Sequence, residues 1–285
     1  MSQRIHRATA PAAGLARDRV PTVEPEGVVR RLRSRHVTAM SLLVVLAASV
    51  VAGLIGYLTG LASLVSYPML LAVGLPPVSA NVTNTIGMVS VGLGSTIKGA
   101  GTYMPGMSRR QVLAQGFIAG LGGLTGGFLL LISGDGVFEH IVPFLVLMAA
   151  VLLLAGPRIK RIRSDGTWPV WLYDVLLYLV CIYGGYFGAG SGVIFMALTT
   201  LATSLSFDQA VWFKTTLMSV SNLAAGLYFV FSGEVNWPVA LALAIGFFAG
   251  GWLGPVVQRF LPEKVLRWVI GVGGIGLACY LWFSA

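Results

Sequence analysis

The sequence predicts an all-α fold, namely a polytopic helical membrane protein built from two homologous repeats with broken or re-entrant helices. Of the 285 residues, 56% are hydrophobic and only 10% are charged, whereas a soluble domain carries about 25% charged residues. The few charges leave long apolar runs between them, and glycine-rich interruptions break those runs at matching positions of the two halves. These three observations exclude an ordinary soluble enzyme.

The apolar runs set the expected number of membrane spans. A spanning helix needs about 20 consecutive apolar residues, so the longest run holds two spans with residues left over. We expect about eight full spans together with short half-helices, and the charges between the runs leave their orientation open. The stretches without Asp, Glu, Lys or Arg are 37–97, 111–134, 141–157, 175–207, 215–233, 235–258 and 268–285.

Basic residues flank these runs. Eight of the 19 Lys and Arg residues lie in residues 1–36, which we interpret as a disordered basic cytoplasmic tail. Four more lie within residues 157–169, the predicted basic cytoplasmic linker. Basic residues beside membrane spans mark the cytoplasmic side, so the net charge of +9 indicates topology and not nucleic-acid binding. The predicted location is the cell inner membrane.

The linker separates two predicted transmembrane repeats, residues 37–156 and 170–285. Glycines recur over 53–60 in the first repeat and over 184–192 in the second. Residues 130 positions apart then match, as in the pair Ala80 and Ala210 and the pair Thr85 and Thr215. Short apolar segments interrupted by Gly or Pro at matching positions of two repeats are typical of the transport site of secondary transporters.

Lys214 is the main candidate for substrate binding. A charged side chain inside a membrane-spanning run costs free energy, so such a residue usually has a function. Its match in the first repeat is Asn84, within a polar segment of the sequence Asn-Val-Thr-Asn-Thr. Ammonium, amide and hydroxyl groups all donate hydrogen bonds, so a cavity lined by them suits an oxyanion. The predicted substrate-binding residues are Asn81, Asn84, Thr85, Ser191, Lys214 and Thr215.

Each candidate also has a simpler interpretation. Lys214 could extend to lipid headgroups at the membrane interface, and the polar segment of the first repeat could only bond neighbouring helices together. Ser191 could cap the backbone at the second break. Asp174 lies close to the start of a span, where it is either a carboxylate stabilised by the helix dipole or a proton or charge carrier.

Catalysis, metals and cofactors are not expected. The three histidines lie outside the apolar runs, so an intramembrane serine would have no base, and the sequence has no HExxH pattern for zinc. Cys181 and Cys279 lack CxxC spacing. The apolar runs hold almost no carboxylates, which argues against a cation channel. We therefore predict no enzyme activity, no metal and no cofactor.

Over 53–85 and 184–214 the sequence resembles the TauE/SafE sulfite exporter family, also called the toluene sulfonate uptake permease family. The shared features are a glycine-rich break near the start of each repeat, an apolar helix that contains Pro68 or its counterpart, the polar segment that follows, and the central basic loop. The likeness covers about Ser41 to Phe283. It departs from the family pattern at the first break, where Thr59 and Ala62 stand in place of further glycines.

This resemblance implies transport of a sulfur-containing anion. We expect a secondary transporter, most simply an exporter, of sulfite, thiosulfate or an organosulfonate, which works by alternating access at a midplane site between the two repeats. Its partners are then the anion and the lipid bilayer, with a homodimer as a possible assembly and no nucleic acid. Two alternatives remain open: an uncoupled anion channel, and a membrane scaffold that acts through its basic tail.

Overall fold

The computed structural model describes residues 38–103, 108–161 and 168–257, with single residues between 268 and 283. The regular structure in these ranges is entirely helical, which confirms the all-α prediction. The predicted tail, residues 1–36, lies outside the described residues, as does part of the predicted linker, residues 162–167. The helices are α1 (Ala39–Thr59), α2 (Ala62–Ala72), α3 (Pro77–Tyr103), α4 (Arg109–Arg161), α5 (Val170–Tyr186), α6 (Ser191–Ala202), α7 (Phe207–Phe229) and α8 (Trp237–Val257).

Helix ends follow local sequence signals. Thr38 caps the start of α1, where its side-chain oxygen accepts a hydrogen bond from the backbone N–H of Ser41 at 3.2 Å. α3 begins at Pro77, whose fixed φ suits the first helical position. Ser206 and Gln209 form a capping box at the start of α7. α4 changes direction at Gly134, which has φ 69° and ψ 170° and so interrupts the helix.

Three helical segments in the described ranges are long and apolar enough to cross a membrane: Ala39–Thr59, Arg109–Gly134 and Trp237–Val257. α3 and α7 have 27 and 23 residues, which gives each a length of at least about 34 Å, but they carry the polar candidate residues. α2 and α6 have only 11 and 12 residues, so each extends less than about 20 Å and cannot cross a bilayer core of about 30 Å.

The outward faces of the long helices are apolar. Large hydrophobic side chains that would normally be buried are exposed along α1, α4 and α8, and such a continuous apolar surface is typical of contact with lipid. Examples are Leu43, Val51, Leu113, Phe117, Leu241 and Ile245.

Helices from the two halves of the chain are interleaved. α8, near the end of the chain, packs along α1 and α3, whereas α4 packs along α5 and α7. Glycines allow this close approach: a Cβ atom at Gly251 of α8 would lie 2.3 Å from the carbonyl oxygen of Val91 in α3. A Cβ atom at Gly126 of α4 would lie 2.0 Å from the carbonyl oxygen of Ile182 in α5. Small residues at such crossings let helix backbones meet in a membrane.

Substitution of Gly126 by Ala tests this packing. The added methyl would overlap the backbone of α5, so the two helices must separate, and we expect a loss of about 1–3 kcal/mol in stability. The control is Gly101→Ala in α3, because no heavy atom lies within 4 Å of a Cβ there. Thermal unfolding in detergent should show a lower midpoint for G126A and an unchanged or slightly higher one for G101A. Equal midpoints would contradict the described helix contact.

Candidate functional site

Two helix interruptions meet in the interior of the fold. Gly60 ends α1 with φ 78°, and Gly190 precedes α6 with φ 81°. Both values lie in the left-handed region, which glycine enters without steric cost. The two glycines are 130 positions apart in the sequence. A Cβ at Gly60 would lie 2.5 Å from the Cα of Gly192, so the backbones of the two interruptions are in direct contact.

A small cavity lies where these interruptions meet. Its volume of about 30 Å³ leaves room for about two water molecules. None of the described residues that line it is acidic, and its polar side chains are a lysine, three hydroxyls and one amide. The lining residues are Gly56, Gly60, Met88, Val91, Gly188, Ser191, Gly192, Lys214, Thr215, Met218, Ser219 and Asn222.

Lys214 is the charged group of this cavity. Its side chain is 1% exposed, so it is buried and does not extend to a membrane interface. The ammonium donates hydrogen bonds to the carbonyl oxygens of Tyr57 at 2.7 Å and Gly56 at 3.3 Å. These carbonyls lie in the last turn of α1, where the helix dipole is negative, and that of Gly56 also accepts a hydrogen bond from the backbone N–H of Gly60 at 2.8 Å. Lys214 of α7 therefore binds and caps the end of α1.

Asn81 makes a corresponding contact from the first half of the chain to the second half. It lies on α3, is 1% exposed, and its side-chain nitrogen donates a hydrogen bond to the carbonyl oxygen of Tyr186 at 2.8 Å. Tyr186 is the last residue of α5, just before the second interruption. Thus α7 holds the end of α1 and α3 holds the end of α5. Sequence matching had paired Lys214 with Asn84. The residue that binds the end of a helix in the other half, as Lys214 does, is instead Asn81, one helical turn before Asn84.

The remaining predicted site residues divide into two groups. Ser191 and Thr215 line the cavity with Lys214, and their hydroxyls donate to the carbonyls of Gly188 and Val211. Asn81, Asn84 and Thr85 are buried but are not among the lining residues. The amide of Asn84 donates to Ser63 Oγ at 3.2 Å and Met88 Sδ at 3.4 Å, whereas Thr85 donates to the carbonyl of Asn81.

Two further polar lining residues, Ser219 and Asn222, were not predicted from the sequence. They follow Thr215 on α7 at intervals of four and three residues, which places all three on one helix face. This helical spacing is visible in the sequence and could have identified both residues. Met88 and Met218 also line the cavity and are 130 positions apart. Their thioether groups are soft and polarisable, in contrast to the hydrogen-bond donors on the other lining residues.

Asp174 lies outside this cavity. It is a half-buried residue on α5, and its carboxyl group lies beside the side-chain amide of Gln115 on α4. Among the described residues, no three His, Cys, Asp or Glu side chains are grouped so that they could hold a metal ion.

Comparisons with known proteins agree on a family. The model of the sulfite exporter TauE/SafE family matches residues 45–281. The chain is 24% identical to a Sinorhizobium "Probable membrane transporter protein ORF9" over 82% of this chain and 89% of the relative. It is 23% identical to the Escherichia coli K12 "Probable membrane transporter protein YfcA" over 77% and 81%, respectively. A Haemophilus influenzae "Probable membrane transporter protein" is 25% identical over 76% and 85%. No solved structure matches the chain.

Loss of the Asn81 side chain should destabilise the second interruption. Asn81→Leu leaves the buried carbonyl of Tyr186 without this donor, which costs about 1–3 kcal/mol. The control is Thr85→Val, which removes only a hydroxyl bond within α3 and should cost less than about 1 kcal/mol. Both are measured as thermal unfolding midpoints of the purified protein. The assignment fails if N81L unfolds at the same temperature as T85V.

Proposed function

We propose, since this chain belongs to the TauE/SafE sulfite exporter family of membrane transporters, that it is a secondary transporter which exports a small sulfur-containing anion across the cell inner membrane. Sulfite, thiosulfate and organosulfonates are the proposed substrates. The names of the relatives specify a membrane transporter and no substrate, so the choice of an anion rests on the chemistry of the cavity.

The buried ammonium of Lys214 is the observation that carries this proposal. A positive charge away from water is stabilised by negative partners, and here the ammonium donates to the partly negative backbone carbonyl oxygens of Tyr57 and Gly56. An anion in the cavity would be a stronger partner than a neutral carbonyl. Ser219 and Asn222 add hydrogen-bond donors around the same space. The hydroxyls of Ser191 and Thr215 would have to turn away from the carbonyls of Gly188 and Val211 to donate to an anion. A cation would meet the lysine charge with no carboxylate among the lining residues to offset it.

The second support is the position of the cavity at two interrupted helices. α2 and α6 are too short to span a bilayer and follow the interruptions at Gly60 and Gly190. α3 and α7 begin at Pro77 and Phe207, which are also 130 positions apart. We interpret α1–α3 and α5–α7 as corresponding parts of two repeats, with α2 and α6 as re-entrant half-helices around a midplane site. Transporters with such repeats work by rocking one against the other.

Binding of the anion is then coupled to movement through Lys214. The cavity has room for about two water molecules, whereas sulfite already has four heavy atoms, so an anion of this size needs more space than the described arrangement provides. Entry of an anion must separate the two interruptions and gives the ammonium a charged partner in place of Tyr57 and Gly56. The end of α1 is thereby released. Asn84 and Thr85 support the first-half segments and Asn81 holds the end of α5, so these three residues act on the helices instead of binding the anion directly.

The proposal is tested by anion-dependent currents from proteoliposomes adsorbed on a solid support. We expect saturable currents with sulfite, thiosulfate or sulfoacetate and none with lactate or chloride. Unitary conductance steps in a single-channel recording would favour the uncoupled channel instead. If no anion gives flux and deletion of residues 1–36 abolishes the cellular function, the scaffold alternative would replace the transporter.

Substitution of Lys214 tests the site itself. Lys214→Gln removes the charge but keeps hydrogen-bond donors, so we expect transport to fall about 10- to 100-fold, the value of a charge-assisted hydrogen bond. The matched control is Lys98→Gln, because Lys98 is exposed on α3 with its ammonium 4.9 Å from the ring centre of Trp252. Both variants should stay monodisperse in size-exclusion chromatography. Unchanged transport in a folded K214Q protein would remove Lys214 from the site.

A further inference from the structure

Asp174 and Gln115 form a contact between α5 and α4 that the anion cavity does not use. Gln115 is 2% exposed, and its side-chain amide lies beside the carboxyl group of Asp174, which is half-buried. α5 leads directly to the second helix interruption, because it ends at Tyr186 and is followed by Gly188, which lines the cavity. A change in the bonding of Asp174 therefore acts on a helix that shapes the site.

One oxygen of each side chain is buried without a hydrogen-bond partner in the described structure: Oδ1 of Asp174 and Oε1 of Gln115. Both atoms are acceptors when the carboxyl is ionised, so neither can satisfy the other. A buried acceptor without a donor costs about 1–3 kcal/mol. The pair is thus incomplete in the ionised form, although its two side chains lie side by side.

A single proton completes the pair. A neutral carboxylic acid has one O–H donor and one carbonyl acceptor, and a primary amide has the complementary donor and acceptor. Asp174 in its protonated form can donate to Gln115 Oε1 while it accepts from the Gln115 amide nitrogen. An ionised carboxylate can make only the second of these bonds. The contact is therefore chemically matched to bind and release H⁺.

The charged groups on the neighbouring helices have other positions or partners. α6 contains no ionisable side chain. On α4, Arg109 and Arg110 are exposed at the helix start, and Glu139 and His140 are exposed beyond the interruption at Gly134. On α7, Asp208 lies in the first turn and Lys214 bonds to α1. The tyrosines of α5 bond elsewhere, Tyr173 to Thr199 and Tyr178 to Thr125.

We propose that Asp174 and Gln115 form a proton-binding site and that the protein moves a proton in its anion transport cycle. This inference rests on the proposed transport function. The partly exposed Asp174 can exchange the proton with water, and the buried Gln115 holds the protonated carboxyl to α4. Release of the proton leaves one bond between α4 and α5, so the contact weakens. The hydroxyl bond from Tyr173 to Thr199 of α6 connects this change to the second interruption.

Infrared difference spectra against pH test the site without any transported substrate. We expect the wild-type protein to show carboxylic-acid C=O absorption that grows as pH falls, and we expect the contribution of Asp174 to be lost in Asp174→Asn. Gln115→Leu should retain this contribution but move it to the higher frequency of a carboxyl without this partner. The control Glu139→Gln removes an exposed carboxyl and should leave the contribution of Asp174 unchanged. Identical absorption in the wild type and D174N throughout the titration would overturn the proposal.

Flux measurements test the coupling. Thiosulfate does not titrate near neutral pH, so it is used as the probe at zero membrane potential with an imposed pH gradient. Wild-type and E139Q proteins should respond to the gradient, whereas D174N should lose this response. A D174N protein that responds like the wild type would refute the proton site. Absence of wild-type thiosulfate flux would count against the proposed transport function, while the infrared result would still decide the proton site.

Discussion

The hydrogen bonds from the Lys214 ammonium to the last turn of α1 are the interaction on which the site depends. A buried charge must be compensated, and the structure compensates this one with the backbone carbonyls of Tyr57 and Gly56. Those carbonyls lie in the last turn of α1, next to its end at Gly60, where the helix dipole is negative. The helix interruption, the burial of the lysine and the cavity beside it are therefore one arrangement. At the second interruption, the uncharged amide of Asn81 donates in the same way to the carbonyl oxygen of Tyr186 at the end of α5.

Close helix packing makes this arrangement possible. The interruptions touch at Gly60 and Gly192, where even one methyl group would collide, and α8 and α4 enclose them through glycine crossings. Because α8 packs on α1 and α3 while α4 packs on α5 and α7, each group of helices contains segments from both halves of the chain. Movement of one group relative to the other would change the backbone contact at the cavity. This is the physical basis on which we connect anion binding to alternating access.

The sequence predicted the helical class and the two glycine interruptions, and it made Lys214 a candidate, because a lysine or a glycine cluster stands out in an apolar run. It did not predict the partner of Lys214, since a bond between helices distant in sequence depends on how they pack. It also could not choose between Asn81 and Asn84, which are three residues apart and lie near one another on the same helix face. Ser219 and Asn222 were missed because they were not considered together with Thr215 as one face of α7.

The most direct test of the central claim is a cryo-EM structure of the lipid-reconstituted protein with saturating thiosulfate. The account predicts anion density between Gly60 and Gly190, within hydrogen-bond distance of Lys214 Nζ and close to Ser191 or Asn222. It also predicts that the ammonium has left the carbonyl oxygen of Tyr57. Anion density at a different place, with Lys214 still bound to α1, would contradict the assignment of this cavity as the transport site.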